Sequence, residues 1–198
     1  MKGPELTNRQ EEILSTALDV IANEGTRALT MKRVAQELNV TEPAIYRHFQ
    51  NKRHLLLSLY GYVKYLLIAE LEPVLKRDLP VSERLSLFIQ RLLAYLSKRK
   101  GVNLILLAET IYHQDEQLSK AMLSIFTGVG DLAASLLQEG ADSGELRPDF
   151  EPHNYAICLL GMIQGFLTFY MLNSAKKMDV TEATNTILKC FLDSIKTK

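Results

Sequence analysis

The chain has 198 residues, of which 47% are hydrophobic and 23% charged, and its 23 basic residues balance its 23 acidic ones. Such a composition is typical of a soluble globular protein with one large domain, or with a small domain fused to a medium one. The N-terminus does not join basic residues to an apolar stretch, and we find no apolar run of the ~18 residues that a membrane span requires. These features exclude the secreted and membrane-spanning classes, and we expect a cytoplasmic protein that has no membrane partner.

A first helix is predicted to start at Thr7 or Asn8, either of which can cap it, and to end at Gly25, a residue type that favours helix C-termini. Its apolar residues recur on one stripe, which consists of Ile13, Leu14, Ala17, Leu18 and Ile21. This stripe is expected to pack on the next two helices and complete a three-helix core.

The segment from Thr30 to Phe49 predicts two short helices joined by a tight turn. Thr30 can cap the first of them, whose apolar face carries Met31, Val34, Ala35 and Leu38. Asn39 and Val40 break that pattern, Thr41 offers a second N-cap, and Pro43 fits the first turn of the following helix. This arrangement is a helix-turn-helix, which proteins use to read DNA.

The second of these helices is the candidate recognition helix. Ile45 and Phe49 would point inward, whereas short side chains near the start, such as Pro43 and Ala44, let the helix approach base edges. Tyr46, His48 and Lys52 resemble phosphate contacts, and Glu42 either accepts from a cytosine amino group or caps the helix. The residues predicted to contact DNA are Thr30, Lys32, Arg33, Thr41, Glu42, Pro43, Ala44, Tyr46, Arg47, His48 and Lys52.

The charge is unevenly distributed along the chain. Between Gly25 and Leu55 there are six basic and two acidic residues, a net charge of +4 before histidines are counted. The basic residues of this segment are Arg27, Lys32, Arg33, Arg47, Lys52 and Arg53. A local basic surface is what phosphate binding needs, even in a chain with no net charge.

Residues 9–55 resemble the DNA-binding region of the TetR family of bacterial transcriptional regulators. The matching positions are Ile13-Leu14, Ala17-Leu18, Gly25, Leu29-Thr30-Met31, Val34-Ala35, Leu38, Val40, Ala44 to Phe49, Asn51-Lys52 and Leu55. The resemblance implies an all-helical homodimer whose N-terminal helices bind operator DNA. It also implies a larger C-terminal helical domain with a ligand pocket and the dimer interface. We therefore assign residues 1–52 to the DNA-binding domain and residues 53–198 to the helical ligand-binding and dimerisation domain.

The remainder of the chain reads as helices throughout. Asn51 can cap a long helix from Lys52 toward Pro73, and a tilt of this helix is the route by which a ligand would act on DNA binding, as the family resemblance implies. Further helices are predicted over Val81 to Lys98, Val102 to His113, Asp115 to Glu139, Pro152 to Asn173 and Thr181 to Lys196. Turn residues or lost periodicity mark the breaks between them. The fold class is therefore all-α.

The last two predicted helices are the candidate dimer interface. The helix after Pro152 is apolar nearly all round, so it needs cover on two sides, and Gly161 and Gly165 permit close helix approach. The alternative is a central core helix of a monomer. The residues predicted to form the interface are Tyr155, Leu159, Gly161, Gly165, Leu188, Phe191, Leu192 and Ile195.

Large apolar side chains suggest a pocket for an apolar or amphipathic small molecule, although the same residues would also make an ordinary core. The predicted lining consists of Phe88, Tyr95, Leu107, Ile111, Tyr112, Met122, Phe126, Met162 and Phe166. The two cysteines, Cys158 and Cys190, lack metal-ligand spacing and fall on apolar helical faces, so we predict buried free thiols and no disulfide.

No motif of a known enzyme class is present, and neither a cofactor nor a metal is expected. Glu109 and His113 stand four residues apart and could hold a metal, but a hydrogen bond between them is the simpler interpretation. Three hypotheses follow. The first is a homodimeric repressor that binds a palindromic operator and is released by a small effector. The second is a DNA-binding protein of the same fold without an effector, such as an activator, an architectural protein or a division factor. The third is a helical carrier or enzyme.

Overall fold

The computed structural model describes residues 6–173 and 177–195 of the chain. These residues form nine α-helices and no β-strand, which confirms the predicted all-α fold. The helices are α1 (Asn8–Glu24), α2 (Met31–Glu37), α3 (Glu42–Tyr46), α4 (Lys52–Leu75), α5 (Val81–Lys98), α6 (Val102–His113), α7 (Glu116–Asp142), α8 (Pro152–Leu172) and α9 (Val180–Leu192).

The predicted helix limits hold where a strong local signal marks the end. Helices α5 and α6 have the predicted bounds, because a proline precedes one and a glycine precedes the other. Helix α7 was predicted to stop before Gly140, but it continues to Asp142. A Cβ atom at Gly140 would lie 2.6 Å from Cδ1 of Leu146, so this glycine admits a close neighbour rather than ending the helix. The last helix was predicted to reach Lys196, which lies outside the described residues, but α9 already ends at Leu192.

The chain divides into two compact units by its internal packing. The first unit comprises Met1–Leu66 and Arg99–Ile125, and the second comprises Leu67–Lys98 and Phe126–Lys198. Helices α4 and α7 each belong partly to both units. These units divide the chain by packing, whereas the predicted boundary after residue 52 divides it by function, and that boundary stays a prediction.

The core of the first unit combines the predicted stripe of α1 with residues from α2, α3, α4 and α6. All five residues of that stripe are buried, as predicted. Tyr60 of α4 is also buried, and its hydroxyl lies 2.9 Å from the carbonyl of Leu106 and 2.7 Å from the hydroxyl of Thr110. Burial raises the pKa of Tyr60 above its usual value. These bonds tie α4 to α6 within the first unit.

A buried arginine links three segments of the second unit. Arg84 of α5 forms an ion pair with Glu139 of α7 and donates to the carbonyl of Leu75 at 3.0 Å. The hydrogen bond from the Arg84 guanidinium group to the Glu139 carboxylate lowers the pKa of Glu139. A backbone bond of 3.0 Å from Arg147 to Ile195 joins the segment before α8 to the segment after α9.

Two sequence-based expectations about α8 and α9 are wrong. Cys158 and Cys190 are both exposed, not buried. We also expected no apolar run as long as a membrane span, but by length and composition alone α7 and α8 are each long and apolar enough to cross a membrane. Helix α8 holds 21 residues without a charged side chain. Only 22% of the most apolar 18-residue stretch of α8 is buried within the chain. Cys158 is exposed because the chain covers only one side of α8, whereas Cys190 lies on α9.

Candidate DNA-binding site

The turn between α2 and α3 has the geometry of a specific helix ending. Asn39 adopts a left-handed conformation with a φ of 53°, which asparagine tolerates better than most residues. The amide of Val40 donates to the carbonyl of Ala35 at 2.9 Å, and that of Asn39 donates to Gln36 at 3.1 Å. This pair of bonds is a Schellman motif, which ends a helix and reverses the chain. The break predicted at Asn39 and Val40 is therefore confirmed.

The caps of the two short helices differ. The hydroxyl of Thr30 accepts from the amide of Arg33 at 3.0 Å, so Thr30 caps α2 as predicted. Thr41 occupies the N-cap position of α3, but its hydroxyl makes no capping bond, so that part of the prediction is wrong. The amide of Ala44 instead donates to the backbone carbonyl of Thr41 at 2.9 Å, which leaves the exposed Thr41 side chain available to a partner.

Two buried side chains anchor the candidate recognition helix. Ile45 and Phe49 are buried, as predicted, and the ring of Phe49 packs edge-on against His54 of α4. The opposite surface is open to solvent: Thr30, Lys32, Thr41, Pro43, Tyr46, Arg47 and Lys52 are exposed. The remaining predicted contact residues, Arg33, Glu42, Ala44 and His48, are half-buried. The structure thus brings the eleven predicted residues together in the first unit, while their contact with DNA stays a prediction.

Arg33 differs from the other predicted contact residues because it is already paired. Its guanidinium group lies 2.8 Å from Glu24 of α1 and 2.5 Å from Glu37 of α2. The hydrogen bond from Arg33 lowers the pKa of Glu24. Arg33 therefore links α1 to α2, and less of its charge is available to a phosphate than the sequence suggested.

The first turn of α4 adjoins the helix-turn-helix. Asn51 accepts from the amide of His54 at 2.8 Å and so caps α4, as predicted. Lys52 is exposed, and its ammonium group donates to the carbonyl of Thr26 at 3.3 Å. Arg53, by contrast, pairs with Asp115 at 2.8 Å. The charge of Lys52 therefore has no carboxylate partner among the described residues, whereas the charge of Arg53 is balanced by Asp115.

Four of the six basic residues between Gly25 and Leu55 keep their charge available. Among the ion pairs found in the described part of the chain, Arg33 and Arg53 have carboxylate partners and the other four do not. These four unpaired cations are Arg27, Lys32, Arg47 and Lys52, and all are exposed. Unpaired, exposed cations in a helix-turn-helix segment supply the positive charge that binding to a nucleic-acid backbone requires.

Sequence reasoning missed two contacts of this region. The hydroxyl of Thr26, in the turn between α1 and α2, donates to Glu109 of α6 at 2.6 Å. Arg53 reaches Asp115, which lies just before α7. The partners are 83 and 62 residues apart in the chain, and no local pattern identifies such pairs. Both contacts lie within the first unit.

Glu109 and His113 form the hydrogen bond that was preferred over a metal site. Nε2 of His113 lies 3.0 Å from Oε1 of Glu109. Within the described residues, no group of three or more His, Cys, Asp or Glu side chains is arranged to hold a metal ion. The second carboxylate oxygen of Glu109 accepts from Thr26, so both oxygens have partners inside the first unit.

The predicted effector-lining residues fall in both units and differ in exposure. Phe88 and Met122 are buried, and Tyr95, Leu107, Phe126, Met162 and Phe166 are half-buried. Ile111 and Tyr112 are 67% and 78% exposed, because both face solvent near the end of α6. That exposure does not suit the lining of an internal cavity, so these two assignments are corrected and the others stay predictions.

The predicted interface residues also divide into two sets. Leu159, Phe191, Leu192 and Ile195 are buried inside the chain, so their side chains offer no surface to a partner. Tyr155 and Leu188 are half-buried, whereas Gly161 and Gly165 are exposed. The apolar residues that the sequence reasoning left out are on the same side of α8 as these glycines: Ile157, Cys158, Phe169 and Leu172 are all exposed. The exposed face of α8 is therefore the correct candidate surface.

The fold and the site define a helix-turn-helix DNA-binding protein with a further set of helices after it. A family model described as "Bacterial regulatory proteins, tetR family" matches residues 13–59. This match covers most of α1, all of α2 and α3, and the start of α4.

Whole-chain comparisons agree with the family match. The nucleoid occlusion factor SlmA of Vibrio vulnificus (strain YJ016) is 27% identical over 178 residues, which are 89% of this chain and 90% of that protein. The fatty acid metabolism regulator protein of Bacillus subtilis (strain 168) is 24% identical over 187 residues, 94% of this chain and 95% of that protein. These relatives are described as a regulator and a nucleoid occlusion factor rather than as enzymes.

Solved structures show the same fold. The transcriptional regulator FadR from Bacillus subtilis in complex with stearoyl-CoA has a TM-score of 0.79 at 23% identity, covering 91% of this chain and 96% of that one. The SmeT–triclosan complex has a TM-score of 0.79 at 23% identity, covering 97% and 93%. The family match confirms the resemblance of the N-terminal region to the TetR family, and the solved structures show the same fold over nearly the whole chain.

Proposed function

We propose that the chain acts as a homodimeric, ligand-responsive repressor that binds a palindromic operator. The observation that carries this proposal is the exposed surface of α3 together with the four unpaired, exposed cations of the segment from Gly25 to Leu55. The side chains that precede and begin α3, Thr41 and Pro43, are small and exposed, which permits close approach to base edges in the major groove. Arg47 and Lys52 supply positive charge at the other end of the same surface.

Homodimerisation is supported by the uncovered face of α8. Ile157, Phe169 and Leu172 are 67%, 58% and 83% exposed, and together with Gly161 and Gly165 they form one apolar stripe. A contiguous apolar stripe on a soluble protein marks an interaction site. A second copy of the chain is the natural occupant, because a two-fold dimer presents two recognition helices to the two halves of a palindrome.

A small effector is supported by the relatives rather than by a site in this chain. Structural neighbours of the same fold were solved with stearoyl-CoA, which joins an apolar acyl chain to a charged coenzyme A group, and with triclosan, which is largely apolar. We propose an apolar or amphipathic effector for this chain as well. The effector would bind the helices that follow the helix-turn-helix and stabilise an arrangement that does not bind DNA.

A second candidate function is DNA binding without a small effector. It is favoured by the relatives described as nucleoid occlusion factors, which align over 89% of this chain. Such a protein would use the same surface of α3 but would respond to a protein partner or to none. Under either proposal the chain is a cytoplasmic DNA-binding protein and not an enzyme, and no cofactor is required.

Release from DNA distinguishes the two candidates. The protein is first bound to a duplex selected for tight binding, and stearoyl-CoA or triclosan is then added while fluorescence anisotropy of the labelled duplex is followed. A ligand-responsive repressor releases the duplex in the presence of an amphipathic effector of its class. Specific binding that persists with both compounds and with a wider set of apolar molecules contradicts the repressor proposal and favours the second candidate.

A further inference from the structure

Arg53 makes an unusually complete set of bonds for an exposed cation. Its Nε donates to Oδ2 of Asp115 at 3.0 Å, and its Nη2 donates to the two carboxylate oxygens at 3.1 and 2.8 Å. Its Nη1 donates to Oε1 of Gln117 at 2.7 Å. A phosphate group would offer the same guanidinium a bidentate contact at most. The bonds to Asp115 and Gln117 therefore compete well against DNA.

Asp115 is itself held in place to receive the guanidinium group. It precedes α7, and its Oδ1 accepts from the amides of Gln117 at 2.8 Å and Leu118 at 3.1 Å. Gln114, with a φ of 50°, sets the turn from α6 that delivers Asp115 to this position. The hydrogen bond from Arg53 lowers the pKa of Asp115, so the carboxylate is ionised at neutral pH. The acceptor is thus fixed and charged before DNA is present.

The position of Arg53 gives this contact a consequence for DNA binding. Arg53 follows Lys52 in the first turn of α4, directly after the helix-turn-helix. Lys52 keeps its charge available, whereas the charge of Arg53 is balanced by Asp115. Each phosphate contact that a protein makes adds affinity for DNA of any sequence and adds no discrimination between sequences.

We propose that Asp115 withholds the Arg53 guanidinium from DNA phosphates and thereby limits binding to non-operator DNA. Asp115 then limits the sequence-independent part of the DNA affinity from a position outside the recognition helix. This inference rests on the proposed DNA-binding function, and it adds a residue, Asp115, that weakens DNA binding. Weaker sequence-independent binding lets the protein leave more readily the non-specific sites that far outnumber operators in a genome.

The test measures the salt dependence of binding to a short duplex of mixed sequence by fluorescence anisotropy. Asp115→Asn frees Arg53 while keeping an N-cap residue before α7, since asparagine caps helices about as well as aspartate. One added phosphate contact should steepen the slope of log K against log salt by about 0.9 and strengthen binding about tenfold near 0.1 M salt. The Arg53→Gln change in the Asp115→Asn background should return the slope to that of the wild type.

Glu116→Gln is the matched control. It removes the same charge from the adjacent residue, whose carboxylate pairs with Lys120 at 2.6 Å rather than with Arg53. We expect this variant to keep the wild-type slope. A slope that steepens equally in both variants would show a general effect of charge and would contradict the proposal.

Arg53→Gln in the wild-type background provides a second measurement that does not depend on how Asp115→Asn folds. The proposal predicts an unchanged slope, because Arg53 makes no phosphate contact while Asp115 holds it. A slope reduced by about 0.9 would show that Arg53 already contacts phosphate and would overturn the proposal. A wild-type chain that binds no duplex at any salt concentration would contradict the proposed function itself, and with it this inference.

Discussion

Lys52 offers the most direct test of a DNA contact by a single side chain. It is exposed, and its ammonium group makes one long bond of 3.3 Å to a backbone carbonyl. Lys52→Ala should therefore weaken binding about equally for all sequences and reduce the salt slope by about 0.9. Lys76→Ala is the control, because Lys76 is also exposed, directly after the end of α4, but is in the second unit and pairs with Glu72. An unchanged slope in Lys52→Ala would contradict the phosphate contact.

Lys32 and Arg33 are adjacent in α2 but differ in their partners. Lys32 is exposed and unpaired among the described residues, whereas Arg33 is bound to Glu24 and Glu37. We expect Lys32→Gln to lower the salt slope by about 0.9, and Arg33→Gln to change it far less. Equilibrium binding to a mixed-sequence duplex at several salt concentrations measures both. Equal losses in the two variants would mean that the ion pairs of Arg33 open when DNA binds.

The sequence predicts local contacts of side chains well and distant ones not at all. The caps by Thr30 and Asn51 each join residues three positions apart, so the identity of the residue and its place before a helix suffice. The bond from Thr26 to Glu109 and the pairing of Arg53 with Asp115 depend on how α6 and the start of α7 pack on the N-terminal helices. For this reason the net charge of +4 can be counted along the sequence, but the sequence does not show which of these cations lack a carboxylate partner and can bind phosphate.

The packing of α4 against α6 in the first unit depends on a buried hydroxyl group. Tyr60→Phe removes the bonds of this hydroxyl to Leu106 and Thr110, while Thr110 still donates to the carbonyl of Leu106 at 2.8 Å. The free energy of unfolding should therefore fall by only about 0.5–1.5 kcal/mol. Urea denaturation measures it, with the exposed Tyr65→Phe as a control that should change little. A loss equal to that of the control would show that the Tyr60 hydroxyl contributes no net stability.

The limits of helices were predicted accurately where residue chemistry at the ends is strong. Helices α5 and α6 follow Pro80 and Gly101, and their limits agree with the prediction. Gly140 misled the prediction, because a glycine near a helix end usually stops the helix. Here it lies inside α7 and is required by the close approach of Leu146, which sequence periodicity does not reveal.

At the scale of the whole molecule, the covered and uncovered sides of α8 decide how two copies can meet. The sequence indicated that α8 needs cover on two sides, but an apolar helix without a polar face has no periodicity to show which side faces the core. The predicted interface therefore mixed buried residues such as Leu159 with exposed ones such as Gly165. The exposed stripe, whose side chains are not covered by the chain itself, is therefore the interface that we propose.

A large charged residue on that stripe tests the dimer. A Cβ atom added at Gly165 meets nothing within 4 Å in the chain, so Gly165→Arg should leave the fold of the subunit intact. In a closely packed dimer the same change buries a charge and prevents helix approach, and we expect sedimentation velocity to show monomers. Gly61→Arg on α4 is the matched control, since a Cβ atom there also meets nothing. A dimer that persists in Gly165→Arg would contradict this interface.

The central claim is that the chain reads DNA sequence as a two-fold dimer. The most direct test is selection of bound molecules from a random duplex pool with the purified protein, followed by sequencing. We expect enrichment of an inverted repeat, because a two-fold dimer places identical recognition helices on two half-sites. Binding without enrichment of any repeat, in a pool from which the protein retains DNA in a salt-sensitive way, would contradict a sequence-specific regulator.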